Sequence, residues 1–350
     1  KLRRCMVPSC AKKSIRRSHG IPRGMSLALI AENGTVVTPF FDQTSGRLTV
    51  KPVGISEAST FPAFCSDHER LFESFEAKKK IETEMHIYLQ TYRAACRELF
   101  RTEFYVKQTK SLLATYTDLR DRRLSERVAK AIIARGLPDV KIGKLSLESD
   151  PLVENIKRKI TMLETHNEIF RNRLLPALEQ SVFQSDERDI FIYAVDIDLE
   201  LPVALSGSAM FQVIDEGKKN EVCLVFSVLP SAGHSLVTFA GHAGDKAYIQ
   251  SYIAHWMKNS FRMLAMVESW MVNGTDQWYL RPSVWEGLPQ TRRDGILDAI
   301  VKCEQNIGQE YKKSIFDTIR NEHLEALRTA KPAEYLCFPD AVKAEMEKMA

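Results

Sequence analysis

Apolar residues recur at three- and four-residue steps from position 81 onward. Ile81, Met85, Tyr88, Leu89, Tyr92, Ala95, Cys96, Leu99 and Phe100 fall on one face of a 3.6-residue helix. The pattern predicts a helix running through Tyr105 and Leu124 to Ile133. Gly136-Leu137-Pro138 ends it, and Gly143 adds a loop. A second such face starts at Pro151, passes Val153, Ile156, Ile160, Leu163, Ile169, Phe170 and Leu174, and reaches Phe183. Together they predict a long antiparallel helical hairpin over residues 77–185. Such a hairpin serves as a spacer, a packing element or an arm for self-association.

The period then shortens. Ile190 to Val195, Val203 to Val213, Val222 to Leu229 and Leu236 to Phe239 are β-rich runs, with a turn expected at Lys218-Lys219-Asn220. The third run is almost continuously apolar, as a strand buried on both faces would be. A small, mostly antiparallel sheet is expected. It is covered by helix from Asp245 to Val272, with Asp245 as N-cap, and by a loop carrying Trp278, Pro282 and Trp285. Residues 186–290 form that domain. Residues 291–350 return to helix, interrupted by Pro332 and Pro339.

Residues 1–76 read differently. Leu27 to Ala31 and Thr35 to Phe40 are expected to be strands of a hairpin, joined at Asn33-Gly34, where both residues tolerate positive φ. Ahead of them lie Cys5 and Cys10; behind them lie Cys65 and His68. A Cys₃His set is a closed tetrahedral zinc site when its halves meet. Two half-sites flanking a hairpin, the second opening a helix, suggest a treble-clef module. The alternative is two buried cysteines and an unrelated surface Cys-His pair. Cys96, Cys223, Cys303 and Cys337 are scattered and read as ordinary thiols. The fold class expected is therefore α+β: an N-terminal treble-clef zinc module, a long helical hairpin, and a C-terminal antiparallel sheet with helices.

Charge sharpens this picture. The 350-residue chain carries a net charge of only +4, yet Lys1, Arg3, Arg4, Lys12, Lys13, Arg16, Arg17 and Arg23 all precede the first acidic residue, Glu32. Eight uncompensated cations around a zinc knuckle are the footprint of a nucleic-acid binder, or else a solvated basic end. No apolar run approaches the roughly 20 residues of a membrane span. No apolar stretch follows the basic start, so no secretory signal is expected and the cytoplasm is the expected compartment. Phosphate-binding glycine loops, a Gly-x-Ser-x-Gly elbow and a credible cysteine nucleophile are absent from the sequence.

Cys5, Cys10, His19, Cys65 and His68, in that layout over residues 5–76, resemble the zinc-stabilised HNH, or ββα-metal, nucleases. The resemblance implies that His19 is the general base activating water against a phosphodiester. It further implies that Ser18 and Glu69 lie beside a second, catalytic Mg²⁺ or Mn²⁺. Arg3, Arg4, Lys12, Lys13, Arg16, Arg17 and Arg23 would hold the nucleic-acid backbone. A nuclease head on a larger body suits an effector gated by recognition or assembly, the layout of many anti-phage defence proteins. The competing reading leaves His19 hydrogen-bonded inside a purely structural module, and makes the protein a scaffold or sensor for a protein partner. Two weaker candidates remain: His234 and His242 with Asp245, as a metal or phosphate site, and Trp278 and Trp285 with Arg281, as a stacking surface.

Overall fold

A computed structural model describes residues 3–136, 150–215, 218–302, 307–311 and 314–350. Residues 137–149, where Gly143 and the expected inter-helical loop fall, lie outside the described residues, as does Cys303. The chain packs as two units: residues 1–97 with 173–350, and residues 98–172.

The first unit is built on a seven-stranded sheet. Its strands are β2 (Thr35–Asp42), β3 (Arg47–Gly54), β5 (Ile190–Ile197), β6 (Val203–Asp215), β7 (Lys218–Ser231), β8 (His234–His242) and β9 (Trp278–Leu280). Their order is β3-β2-β9-β6-β7-β8-β5, and every pairing is antiparallel. A separate two-stranded ladder joins β1 (Ser18–His19) to β4 (Thr60–Phe61).

Alternation along the strands explains the layers. Val203, Leu205, Val228, Trp278 and Leu280 face one core, under the helices Lys246–Trp256 and Ser260–Ser269. Phe226 stacks on Trp270 there at 4.6 Å. Ala204, Leu229 and Tyr279 face the other way, onto Ile21, Met25, Leu27, Ile30 and Val36. Both faces of the central strands are thus dry, which is why β7 reads as a continuous apolar run. Ile21, Leu27 and Ile30 are fully buried. Each contributes about 1.5–3 kcal/mol by leaving water. That burial fixes the N-terminal segment on the second face.

Several expectations change here. Leu27 to Ala31 is not a strand: Arg23–Leu27 and Ala28–Ile30 are helical turns. The Asn33-Gly34 turn does form, with φ of 51° and 73°, but it only leads into β2. The hairpin is β2–β3, and it joins the large sheet through the Val37–Leu280 pair. Trp278 lies in a strand and Trp285 in the short helix Pro282–Gly287, both in the core, so neither offers a stacking surface. Lys218 to Asn220 begins β7 rather than forming a turn, and residues 216–217 lie outside the described residues.

In the second unit the long helix Glu84–Ala134 continues past Glu98, and Pro151–Ile169 packs against it. Val153, Ile160, Leu163, His166 and Phe170 form the buried seam, at three-, four- and seven-residue steps. Asp150 starts the second helix by accepting N–H bonds from Leu152 (3.0 Å) and Val153 (3.4 Å). It also accepts from Tyr116 and Arg120, each at 3.2 Å, while Lys110 pairs with Glu164 at 2.6 Å; this fixes an antiparallel register. Among the described residues, no helix is long and apolar enough to cross a membrane.

Candidate metal centre

The segment from Arg3 to Ser14 doubles back on itself. Cys5 N–H bonds Lys12 O (2.9 Å), Ser14 N–H bonds Arg3 O (2.9 Å), and Ser9 takes a φ of 60° at the tip. This brings Cys5 and Cys10 to one side of a tight loop. Two further backbone bonds, Met6 N–H to Ala63 O (2.9 Å) and Ile15 N–H to Phe64 O (2.7 Å), carry the loop onto the segment before Cys65. Cys65 then precedes the helix Ser66–Glu69, so His68 comes round one turn later.

The four ligand atoms of Cys5, Cys10, Cys65 and His68 lie within 4.8 Å of one another. Cys5 Sγ and Cys65 Sγ are each 3.4 Å from His68 Nδ1, and Cys10 Sγ is 3.9 Å from Cys65 Sγ. Tetrahedral zinc would hold S···S edges near about 3.8 Å and S···N edges near about 3.6 Å. The donor set therefore fits such an ion, with no ligand position left open. Burial pushes the Cys5 thiol up to about 11. Burial also acts upward on Cys65, but the His68 and Asp67 backbone N–H groups outweigh it and lower that thiol. A bound cation is what makes the full thiolate set stable at neutral pH.

His19 sits on the β1–β4 ladder in the same segment. Its Nδ1 lies 3.0 Å from Ala58 O. A carbonyl oxygen only accepts, so Nδ1 carries the proton and Nε2 is the basic nitrogen. Burial lowers the His19 pKa, and the charges of Arg93 and Arg23 lower it further, so the ring is neutral at pH 7.

Ser18 and Glu69 are brought to His19, though in a different role from the one expected. Ser18 is fully buried, and its hydroxyl accepts from Phe64 N–H at 3.2 Å. Burial raises the Glu69 pKa, against hydrogen bonds from the Ser18 hydroxyl and the His19 backbone. The other oxygen, Oε2, is sealed from solvent with no hydrogen-bond partner. A hydrated hard cation needs open oxygen ligands and room for its waters. Ser18 and Glu69 do not fit one, and the Cys₃His cluster is the one group of three or more His, Cys, Asp or Glu ligands brought together among the described residues.

The basic face is partly neutralised by residues later in sequence. Lys12 pairs with Asp67, Arg17 pairs with Glu57 at 2.6 Å, and Arg4 Nε donates to Cys10 O at 2.8 Å. Lys13, Arg16 and Arg23 are exposed and have no acidic partner among the described residues. Sequence reading missed Arg93, which is fully buried. It pairs with Glu76 at 2.6 Å and lies over the Phe72 ring at 4.5 Å. Its position in the apolar face of a helix gave no signal of charge burial.

Of the His234, His242 and Asp245 candidate, His234 stands apart, while His242 and Asp245 share Arg173. His234 and His242 stand at opposite ends of β8, and His234 Nδ1 bonds its own loop at Ala232 O (3.1 Å). His242 Nδ1 caps the next turn by accepting from Gly244 N–H at 3.1 Å. Asp245 stands at the N-cap position of the helix Lys246–Trp256 as expected, but its side chain makes no capping bond; its carboxylate accepts from Arg173 at 3.1 Å.

No protein-family model, curated protein or solved structure matches the chain.

Proposed function

We propose that this chain is a zinc-stabilised protein that acts on nucleic acid, with His19 as the general base of phosphodiester cleavage. The observation that carries the reading is the Nδ1–Ala58 bond, which leaves a neutral imidazole with Nε2 basic. In this reading Cys5, Cys10, Cys65 and His68 form a treble-clef centre. Zinc there supplies a cross-link between the knuckle and the helix. Nε2 takes a proton from water as the water oxygen bonds phosphorus. The bond from phosphorus to the leaving sugar oxygen breaks, and the imidazolium returns the proton to that oxygen. Lys13, Arg16 and Arg23 hold the backbone phosphates. No step is routed through a second ion, because Ser18 and Glu69 do not offer one a place.

The test uses protein with one zinc per chain, incubated with DNA and with RNA, with and without added Mg²⁺ or Mn²⁺. His19→Ala is expected to lower cleavage by at least about 100-fold with zinc content unchanged. Because the His19 pKa is depressed, the acid limb of the rate profile should fall below the ordinary histidine value, leaving full activity at pH 7.

The second reading is a non-catalytic scaffold or sensor that binds a protein partner. The sealed Ser18 and Glu69 oxygens favour it, since they serve the packing of β1 on the helix. No cleavage, together with no salt-sensitive nucleic-acid binding, would select it.

A further inference from the structure

Ala58 O, the acceptor for His19, belongs to a turn held from the opposite side by the large sheet. Ser59, the next residue, has a φ of 62°, the left-handed region that a serine rarely adopts. Four hydrogen bonds keep it there. Its backbone O accepts Gly20 N–H at 2.8 Å, and its Oγ accepts Ile21 N–H at 2.8 Å. Its Oγ also accepts Gln277 Nε2 at 2.7 Å, and its N–H donates to Tyr279 Oη at 2.6 Å. Gln277 and Tyr279 flank and belong to β9, the strand between β2 and β6. Ser59, Gln277 and Tyr279 are all buried. There is no slack at the junction. A Cβ added at Gly20 would stand 2.8 Å from Gln277 Nε2 and 3.2 Å from Ser59 Oγ.

We infer that Ser59 is a positioning residue for His19, set by Gln277 and Tyr279, so that the sheet decides which imidazole nitrogen is basic. The chain of contacts is short and continuous. Tyr279 and Gln277 fix Ser59 in its left-handed conformation. That conformation aims the Ala58 carbonyl at His19. The carbonyl accepts a hydrogen bond from Nδ1–H, which keeps the ring proton on Nδ1 and leaves Nε2 to accept one. Through Ser59 and Ala58, His19 is oriented by the sheet. A ligand or partner that shifted β9 would change the chemistry of His19 without touching it. The catalytic meaning of this orientation rests on the proposed role of His19; the orientation itself does not.

The test reads the imidazole directly. Long-range ¹⁵N–¹H spectra of the zinc-loaded full chain report the protonated nitrogen of each histidine, and His19→Gln assigns the signal. The wild type is expected to show His19 protonated at Nδ1. Tyr279→Phe, which removes a single oxygen, and Ser59→Ala are each expected to move that population toward the Nε2-protonated form. The other histidine signals and the zinc content should stay unchanged. Where cleavage is detected, Tyr279→Phe should lower kcat by about 10- to 100-fold at unchanged KM, the pattern of a misaligned base. An unchanged Nδ1-protonated His19 in a folded Tyr279→Phe protein overturns the inference. A wild type that cleaves nothing overturns the proposed function alone, since the tautomer still decides whether the sheet orients His19.

Discussion

Glu268 and Arg320 are almost wholly removed from water, and each is tolerable there only because of the other. Glu268 accepts from Ile315 N–H (2.6 Å), Phe316 N–H (2.9 Å), Ser314 Oγ (2.8 Å) and both Arg320 terminal nitrogens. Glu268→Ala would leave the buried Arg320 guanidinium without its counter-ion and the Ile315 N–H unpaired. A loss of about 3–5 kcal/mol in denaturant unfolding is expected. A second residue sets a pH limit. His166, in the helical hairpin, is buried edge-on to Phe170 with Nε2 unpartnered, and burial takes its pKa down to about 4. The unfolded chain binds its proton near the ordinary value of about 6.5, so stability is full above that pH and falls as pH drops toward 4. The loss is at most about 3 kcal/mol. His166→Leu should flatten the dependence, measured as melting of the hairpin's helical signal between pH 7 and pH 4. Single residues of this kind were only half legible. The spacing of Cys5, Cys10, Cys65 and His68 announced a shared site, because four soft ligands in two pairs have few other uses. Nothing marked Glu268 or Arg93 as buried charges, since burial of an ion depends on partners far away in the chain.

Elements were read well where period and length agreed. The long helix begins at Glu84 and ends at Ala134, close to the apolar face that predicted it. Sheet strands β5 to β8 fall on the runs that named them. Short elements escaped. β9 has three residues, too few to show alternation, yet it is the strand that carries β2 into the sheet. Leu27 to Ala31 misled because a brief apolar run has no period, and burial on the sheet's second face requires apolar residues in either conformation. The Asn33-Gly34 turn was legible because its chemistry is local. Gly34 holds a φ of 73° with open space beside it, so backbone strain is the whole cost of a side chain there. Gly34→Val should destabilise the first unit by about 1–2 kcal/mol, read as a shift in denaturant midpoint without a change in slope.

At the scale of the whole molecule, a metal held by the Cys₃His cluster and the sheet would be separate sources of order for one segment. Removing a bound metal with a chelator should loosen the knuckle and the helix Ser66–Glu69, which would then rest on the bonds from Met6 and Ile15 to Ala63 and Phe64 and on the Lys12–Asp67 pair. Amide hydrogen exchange is expected to quicken at residues 5–19 and 60–69. Strands β6 to β8, whose protection comes from the aromatic core, should be unaffected. Acid should act as the chelator does, since protons compete with the ion for the thiolates and the imidazole. Uniform loss of protection would show that the two sources are not separable.

The pairing of Val37 with Leu280 has a consequence for the newborn chain. Cys5 and His68 lie 63 residues apart, so a bound ion would close that ring soon after His68 is made. The ribbon inside the ring, β2 with β3, then has no neighbour until β9 is made about 240 residues later. At about 5–20 residues per second, that is a wait on the order of ten to fifty seconds. During it one edge of β2 is unpaired, and Phe40 and Phe41 are exposed even in the finished fold. That ribbon is therefore finished, with one edge open, long before its berth is made.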